Sequence, residues 1–221
     1  MIGYIVGVVI LLFIIYIISY VFNKRTSLSS FATAATEIII SPTSIPEPTS
    51  TNYAYSIWLY IGDWSVRYGQ EKTLMVRDGT VPQLTLGATE NTLTTKVKLS
   101  DGSIATCMVP VVPIQKWTNI IVSVDDKALD TYINGKLVRT CILSSPQAAI
   151  SSSAALHITP NGGFSGYTSR ARYWASPISP QEAWNVYKQG PGGNLLGNFF
   201  SQYKIQLSFI KGSETKASIT F

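Results

Sequence analysis

An uninterrupted apolar run opens the chain, and short alternating runs follow it. Residues 2–22, IGYIVGVVILLFIIYIISYVF, contain no charged side chain. As a helix rising about 1.5 Å per residue, this run is about 31 Å long, which matches the hydrocarbon core of a bilayer. Because a helix satisfies every backbone polar group within one segment in lipid, the run predicts a single transmembrane helix.

Charge at the end of this run predicts its orientation. A cleaved signal peptide fits less well, because no Lys or Arg precedes the run and its apolar part is too long. Lys24 and Arg25 follow the run directly, so the positive-inside rule places the C-terminal domain on the cytosolic side. We assign residues 1–25 to the membrane anchor. Positions that mark the anchor along its length are Ile2, Val6, Leu12, Ile18 and Phe22.

Residues 26–52 differ in composition, being rich in Ser, Thr and Pro, which predicts an extended stalk. At about 3 Å per residue such a stalk would hold the following domain several tens of Å from the membrane. The exception is EIII, residues 37–40, which has the composition of a strand. We expect it to extend a sheet of the domain or to meet a partner.

From residue 53 to residue 190 the pattern changes to many short strand-like runs. Asp78-Gly79, Asp101-Gly102 and Asn134-Gly135 separate several of them, and such pairs favour hairpin turns because the turn needs positive φ. A short helix is expected over Pro180–Gln189, with Ser179 as its cap. The spacing predicts an all-β sandwich or jelly roll.

Residues 191–221 form a C-terminal extension. The runs YKIQLSFI and TKASITF around a polar turn predict a last hairpin. A hairpin alone is marginally stable in water, so we expect it to dock on the sandwich, the membrane or a partner.

Composition excludes one class of partner. The net charge is +5, and only 13% of the residues are charged. Lys24 and Arg25 account for part of that charge, and no basic run interleaved with aromatic residues occurs, so we predict no nucleic-acid site.

Order and spacing of several motifs resemble a known family. The stretch WTNIIVSVDDKALDTYINGKLV (residues 117–138), with GGFSGYTSRARYWASPISPQE (residues 162–182), is similar to the laminin-G-like branch of the concanavalin A-like lectin/glucanase superfamily. The resemblance covers about residues 53–190. It implies a concanavalin A-like jelly-roll β-sandwich behind the transmembrane helix.

The overall layout resembles membrane-anchored virion proteins of giant nucleocytoplasmic large DNA viruses. These proteins combine an N-terminal span, a Ser/Thr/Pro stalk, a sandwich and a similar tail. The resemblance implies a minor capsid protein in the internal virion membrane, with its C-terminal domain facing the capsid shell.

Catalytic chemistry has little support in the sequence. Glycosidases of this superfamily use closely spaced acids, and the nearest set is Asp125, Asp126 and Asp130. The first two are better explained as turn residues. His157, the only histidine, reads as a strand residue. We therefore expect no enzymatic activity.

Two kinds of binding remain as hypotheses. Calcium would need several oxygen ligands, and Asp63, Asp78, Glu90 and Asp101 would have to converge. We expect no cofactor, with calcium left open. Sugar binding needs an exposed aromatic ring with polar groups at its edge. The candidates for glycan or partner contact are Trp64 and Tyr68.

Cys107 and Cys141 are the only cysteines. They lie in flanking strands and are able to pair, but a cytosolic domain argues against a structural disulfide. Some large viruses assemble in the cytosol and make their own disulfides, so both states stay open. Buried free thiols are the simpler interpretation.

These patterns lead to two functional hypotheses. The first is a structural tether between an internal virion membrane and capsid proteins, in which EIII and the tail strands pair with a neighbour. The alternative is a membrane-displayed, lectin-like adhesion protein that binds carbohydrate.

Overall fold

A computed structural model describes residues 10–17, 27–77 and 82–192, and the backbone of residues 206–211 and 214–220. The folded part is a sandwich of two six-stranded antiparallel sheets, and residues 206–220 contribute a separate two-stranded sheet. Helix α1 covers residues 10–17, a 3-10 turn covers Pro42–Ser44, and helix α2 covers Pro180–Lys188.

Sheet A has the strand order β1-β12-β3-β8-β9-β10. Its strands are β1 (Ala32–Thr33), β3 (Tyr53–Asp63), β8 (Trp117–Asp125), β9 (Ala128–Ile133), β10 (Lys136–Ile142) and β12 (Ser165–Trp174).

Sheet B has the order β2-β11-β4-β5-β6-β7. Its strands are β2 (Ile38–Ile40), β4 (Lys72–Arg77), β5 (Gln83–Leu86), β6 (Leu93–Lys98), β7 (Ile104–Val109) and β11 (Leu156–Ile158). The family-like sandwich expected from the motifs is therefore the observed architecture.

One apolar core lies between the sheets. Alternate residues of the central strands point into it, such as Leu59 and Ile61 of β3 and Ile120 and Val122 of β8, and all are buried. Burying apolar surface at about 25 cal/mol per Å² is the main stabilising contribution to such a sandwich. The period-two pattern of the sequence thus translates into one buried face per sheet.

Residues 27–52 are part of this sandwich rather than the predicted stalk. Ser27 bridges Arg172, strand β1 pairs with β12, and strand β2 pairs with β11. Ala34, Ile40 and Ile45 are buried in the core. The stalk prediction rested on the Ser, Thr and Pro content of this segment. It was wrong because a few apolar residues suffice to attach a short strand to a sheet edge. The expectation that EIII extends a sheet of the domain is confirmed.

Both long sides of the sandwich are closed covalently. On one side, β1 and β2 are the outer strands of the two sheets, and residues 34–37 connect them directly. On the other side, a disulfide joins Cys107 of β7 to Cys141 of β10, with a Cα–Cα distance of 6.0 Å. The simpler prediction of free thiols is therefore wrong. That prediction rested on the predicted cytosolic orientation, because the sequence does not show that β7 and β10 bring the two cysteines together.

Helix α2 covers part of the outer face of sheet A. Its capping box joins Ser179 and Glu182, as the predicted cap requires. Ala183 and Val186 pack with Ala54, Ile121 and Tyr132 in a second apolar cluster. The sheet is therefore buried on both faces along this part of its length.

Two arginines hold the C-terminal end of α2. Arg170 Nη1 donates to the carbonyl oxygens of Gln189 (3.0 Å) and Gly190 (2.9 Å), and Arg172 Nη1 donates to Gln189 Oε1 (2.7 Å). Positive charge here complements the helix dipole. Burial, with the nearby charge of Arg170, lowers the pKa of Arg172 to about 9, so Arg172 stays charged at neutral pH.

The predicted turns and the tail hairpin are largely observed. Gly102 (φ 86°), Asn134 (φ 52°) and Gly135 (φ 73°) adopt the left-handed conformation that their turns need. The turn predicted at Asp78-Gly79 lies outside the described residues. In the tail, β13 (Gln206–Lys211) pairs with β14 (Glu214–Thr220) in antiparallel register, which confirms the hairpin.

The predicted anchor falls mostly outside the described residues. Leu12 lies in α1 with its side chain exposed. Within the described parts of the chain, no helix combines the length and apolar character needed to cross a bilayer. The anchor and the orientation remain predictions. Positions beyond the described ranges are Ile2, Val6, Ile18, Phe22, Lys24 and Arg25.

Loss of the disulfide is expected to weaken the sandwich. The bond closes a sequence separation of 34 residues, so a Cys107→Ala/Cys141→Ala variant should lose about 3–4 kcal/mol of unfolding free energy. Chemical denaturation of the full chain in detergent micelles measures this. Reductant should destabilise the native protein and leave the double variant unchanged; equal stability of the reduced and oxidised native protein would contradict the assignment.

Gly135 should tolerate a methyl group less well than Gly102. Both have positive φ, so Ala costs about 1–2 kcal/mol at each from backbone strain. A Cβ at Gly135 would also lie 2.9 Å from Tyr187 Cβ and 3.0 Å from Trp184 Cα, whereas Gly102 faces open space. Gly135→Ala should therefore cost about 1–3 kcal/mol more than Gly102→Ala in thermal unfolding. Equal losses would mean that α2 does not pack against this turn.

Candidate functional site

Three connections gather at one end of the sandwich. They are residues 64–71 between β3 and β4, residues 87–92 between β5 and β6, and residues 110–116 between β7 and β8. Successive antiparallel strands return the chain to the same end, so connections distant in sequence become neighbours there.

Backbone hydrogen bonds join these connections to one another and to the sheet. Gly69 N donates to Ala88 O (3.0 Å), and Val112 N donates to Asn91 O (2.7 Å). The Asn91 side chain reinforces the second contact, because its Nδ2 donates to Val112 O at 2.7 Å. The loop end is therefore held by cross-links between loops as well as by the strands beneath.

These loops enclose an open cleft of about 390 Å³. A volume of this order suits a small polar ligand or one or two residues of a larger one. The side chains that line the cleft are Trp64, Thr89, Glu90, Asn91, Pro110 and Ile114.

The indole of Trp64 is fixed in place on two sides. Its Nε1 donates to the backbone oxygen of Thr89 at 3.1 Å, and the Lys72 ammonium lies 4.6 Å from the ring centroid. Burial, with the nearby charge of Arg67, lowers the pKa of Lys72. A held aromatic ring loses little conformational entropy when a ligand stacks on it.

The polypeptide around Trp64 is shaped by local polar contacts. Asp63 accepts a hydrogen bond from Ser65 N at 2.8 Å, and hydrogen bonds from Ser65 lower the pKa of Asp63. Arg67 adopts a positive φ of 57° and donates from Nη1 to Gly163 O at 2.7 Å. The 64–71 loop is thus tied to the segment between β11 and β12.

The cleft offers acceptors beside an aromatic wall. Among the described residues, the Glu90 carboxylate has no ion pair or hydrogen bond, and Asn91 Oδ1 accepts no hydrogen bond. Both oxygens are therefore available to hydroxyl groups of a ligand. Aromatic rings beside free hydrogen-bond acceptors suit a ligand with one apolar and one polyhydroxylated side.

Trp64, one of the two predicted contact residues, lies in the cleft. Tyr68 is on the same loop and 63% exposed, but it does not line the cleft. The sequence did not single out Asn91, Pro110 or Ile114. No local motif marks them, because loop positions far apart in sequence meet only after the hairpins form.

Other predicted positions have structural explanations. Asp126 has a φ of 49° in the β8–β9 turn, and Asp130 accepts a hydrogen bond from Thr140 Oγ1 at 2.6 Å. His157 lies on β11, as expected of a strand residue, with its Nδ1 2.6 Å from Glu37 Oε1.

The four proposed calcium ligands do not lie together. Asp63 and Glu90 are at the cleft end, whereas Asp101 lies in the turn between β6 and β7 at the opposite end, and Asp78 is outside the described residues. Across the described parts of the chain, no group of three or more acidic, His or Cys side chains is arranged to hold a metal ion.

The cleft lies at the end of the sandwich opposite the point where the N-terminal chain joins it. Ser165 of β12 pairs with Asp63 beside the cleft, and Ser27 bridges Arg172 near the other end of β12. The seven residue steps from position 165 to position 172 span roughly 20 Å.

Known structures share this architecture. The binding domain of botulinum neurotoxin serotype D, solved in complex with N-acetylneuraminic acid, superposes with a TM-score of 0.59 at 11% identity, over 75% of this chain and 43% of that one. The serotype G binding domain gives 0.56 at 12% identity, over 69% and 40%. This chain thus aligns with less than half of each neurotoxin domain, and the likeness concerns the fold.

Sequence comparison identifies the family. No curated protein sequence matches this chain significantly. The family model Laminin_G_3 of the concanavalin A-like lectin/glucanases superfamily matches residues 33–184. This range includes both sheets apart from Ala32 of β1, the disulfide and all three cleft loops. The chain belongs to this laminin-G-like family of the concanavalin A-like superfamily.

Proposed function

We propose that the protein is a membrane-anchored, lectin-like adhesion protein that binds saccharide in the cleft around Trp64. This is the alternative of the two functional hypotheses, and the fold family supports it better than it supports a capsid tether. Structural neighbours include a domain solved with N-acetylneuraminic acid.

The cleft itself is the observation that carries the proposal. A saccharide has C–H faces that stack on an aromatic ring and hydroxyl groups that need acceptors. Trp64 supplies a fixed ring, and Glu90 and Asn91 supply unpaired oxygens beside it. The cleft is open, so a terminal sugar of a longer glycan has access.

The position of the cleft suits display from a membrane. Residues 23–26 separate the predicted span from Ser27 and reach about 14 Å when extended. The sandwich would then stand close to the bilayer, attached through the end that holds Arg172. Its cleft would point away from the membrane, towards ligands on another surface.

The disulfide favours an extracytoplasmic sandwich. Structural disulfides persist in oxidising compartments, and Cys107–Cys141 closes one side of the fold. Against it, the charges of Lys24 and Arg25 favour the cytosolic side. We give the disulfide more weight, because it is part of the folded domain whereas only two charges set the opposite prediction.

A tether between virion membrane and capsid rests on the layout of the chain alone. None of the contacts among the described residues favours it over display of a binding site. We also propose that the domain is not an enzyme, because its closest acids serve a turn (Asp126) and a cross-strand hydrogen bond (Asp130).

Replacing Trp64 should weaken saccharide binding strongly. A glycan array probed with the full chain in detergent selects the ligand, and titration calorimetry then compares variants. Loss of the stacking wall in Trp64→Ala should weaken binding about tenfold or more, and Glu90→Gln should weaken it about threefold to tenfold. Tyr68→Ala, on the same loop but outside the cleft, should bind like the native protein.

Two results would count against this function. The first is an array without reproducible hits for the correctly oxidised protein. The second is equal binding by the native protein and Trp64→Ala. Repeating the titration in EDTA shows whether binding depends on calcium, which the proposal does not require.

A further inference from the structure

The outer face of sheet A has an aromatic region that α2 leaves uncovered. Coverage by the helix ends where Tyr187 stacks on Trp58, with ring centroids 5.7 Å apart and planes inclined by 18°. One row further along the strands, towards the cleft end, the same face carries four aromatic side chains. We call Phe31, Tyr60, Trp117 and Tyr167 the aromatic row.

Strand register brings the row together from distant parts of the sequence. Tyr60 of β3 lies opposite Trp117 of β8 on one side and Tyr167 of β12 on the other. The ring centroids are 5.8 Å and 6.4 Å from that of Tyr60. Phe31, just before β1, stacks on Tyr167 at 5.2 Å and lies 6.1 Å from Trp117.

Close approach of the strands beneath the row depends on Gly166. A Cβ at this position would overlap the backbone oxygen of Tyr60, so only glycine lets β12 lie here against β3. Gly166 belongs to the sequence motif that led to the family resemblance. Here the glycine allows Tyr167 to lie beside Tyr60.

The rings are exposed although they pack on one another. Phe31 is 61% and Tyr167 45% exposed, and Tyr60 and Trp117 are half-buried. On the same face, Trp58 is covered by α2 through Tyr187, whereas no described element covers the rings of the row. Contiguous exposed apolar side chains of this kind are a feature of binding surfaces.

Polar groups at the ring edges indicate which ligand fits. Within the described part of the chain, the hydroxyls of Tyr60 and Tyr167 and the indole N–H of Trp117 have no hydrogen-bond partner. The row therefore combines apolar ring faces with free donors at their edges. A pyranose ring has the matching arrangement of C–H faces and hydroxyl edges, whereas a purely apolar ligand would leave these donors unused.

The row and the cleft share one stretch of chain. Pro110 and Ile114 line the cleft, and Trp117, a few residues later, belongs to the row. Gln115 N, between them, donates to Ile61 O at 2.8 Å and fixes this stretch to β3. The same anchored segment therefore contributes side chains to both surfaces.

We propose that the aromatic row is a second saccharide-binding surface, which gives the protein a preference for oligosaccharide or polysaccharide chains over single sugars. This inference rests on the proposed saccharide function of the Trp64 cleft. Each stacked sugar adds modestly to affinity, and two surfaces on one chain combine through their high effective concentration.

Soluble polysaccharides test the inference. The full chain in detergent is titrated with hydroxyethyl cellulose, xylan, glucomannan and glycol chitin, and in parallel with the corresponding monosaccharides. We expect at least one polymer to bind about fivefold or more tighter per site than its monosaccharide. Phe31→Ala and Tyr167→Ala should remove that advantage and leave monosaccharide affinity unchanged.

Matched variants separate binding from folding. Tyr68→Ala removes an exposed tyrosine outside the row and should keep the polymer advantage. Tyr167→Phe keeps the ring and should retain most of it. Thermal unfolding of each variant shows whether the sandwich is intact, and because Phe31 is the most exposed ring of the row, Phe31→Ala should leave stability nearly unchanged.

The outcomes distinguish failure of the second surface from failure of the proposed saccharide site in the Trp64 cleft. Monosaccharide binding that depends on Trp64, without any gain for polymers, overturns the second surface alone. Full polymer affinity in folded Phe31→Ala and Tyr167→Ala does the same. Absence of binding to every saccharide, including the array, overturns the Trp64 function and this inference together.

Discussion

Attachment of two sheets along both of their long sides is the constraint on which the structure depends. Residues 34–37 carry the chain from sheet A to sheet B on one side, and Cys107–Cys141 joins the sheets on the other. Hydrophobic burial between the sheets provides most of the stability, but it is non-directional. The two covalent links limit sliding and opening of the sheets, so the loops at their ends keep fixed relative positions.

Both candidate binding surfaces follow from that fixed arrangement. The cleft consists of loops from β3–β4, β5–β6 and β7–β8, and its wall residue Trp64 bonds to a different loop through Thr89. The aromatic row arises from the register of β3, β8 and β12 within sheet A. Neither surface belongs to one segment of sequence. A one-residue shift of β3, β8 or β12 would move that strand's ring to the other face of the sheet and break up the row.

Prediction from sequence succeeded where the signal was local. Alternating runs, the Asn134-Gly135 turn and the Ser179 cap each depend on a few adjacent residues, and each is observed. It failed where tertiary contacts decide. The polar composition of residues 27–52 predicts a stalk, yet their short strands pair with β12 and β11 at the sheet edges. The sequence offered Trp64 as a candidate contact residue, but the other residues of the cleft come from loops that only the fold brings near.

The central claim is that saccharide binds around Trp64. Hydrogen–deuterium exchange on the full, oxidised chain, measured with and without a saturating glycan selected by the array, tests it most directly. The account predicts slower exchange in residues 64–71 and 87–92 when glycan is bound, because ligand contacts reduce local opening of the backbone hydrogen bonds in those loops. Exchange at the opposite end, in residues 99–103 and 143–155, should not change. Protection confined to that opposite end, or no protection anywhere on the described loops, would contradict a saccharide site around Trp64.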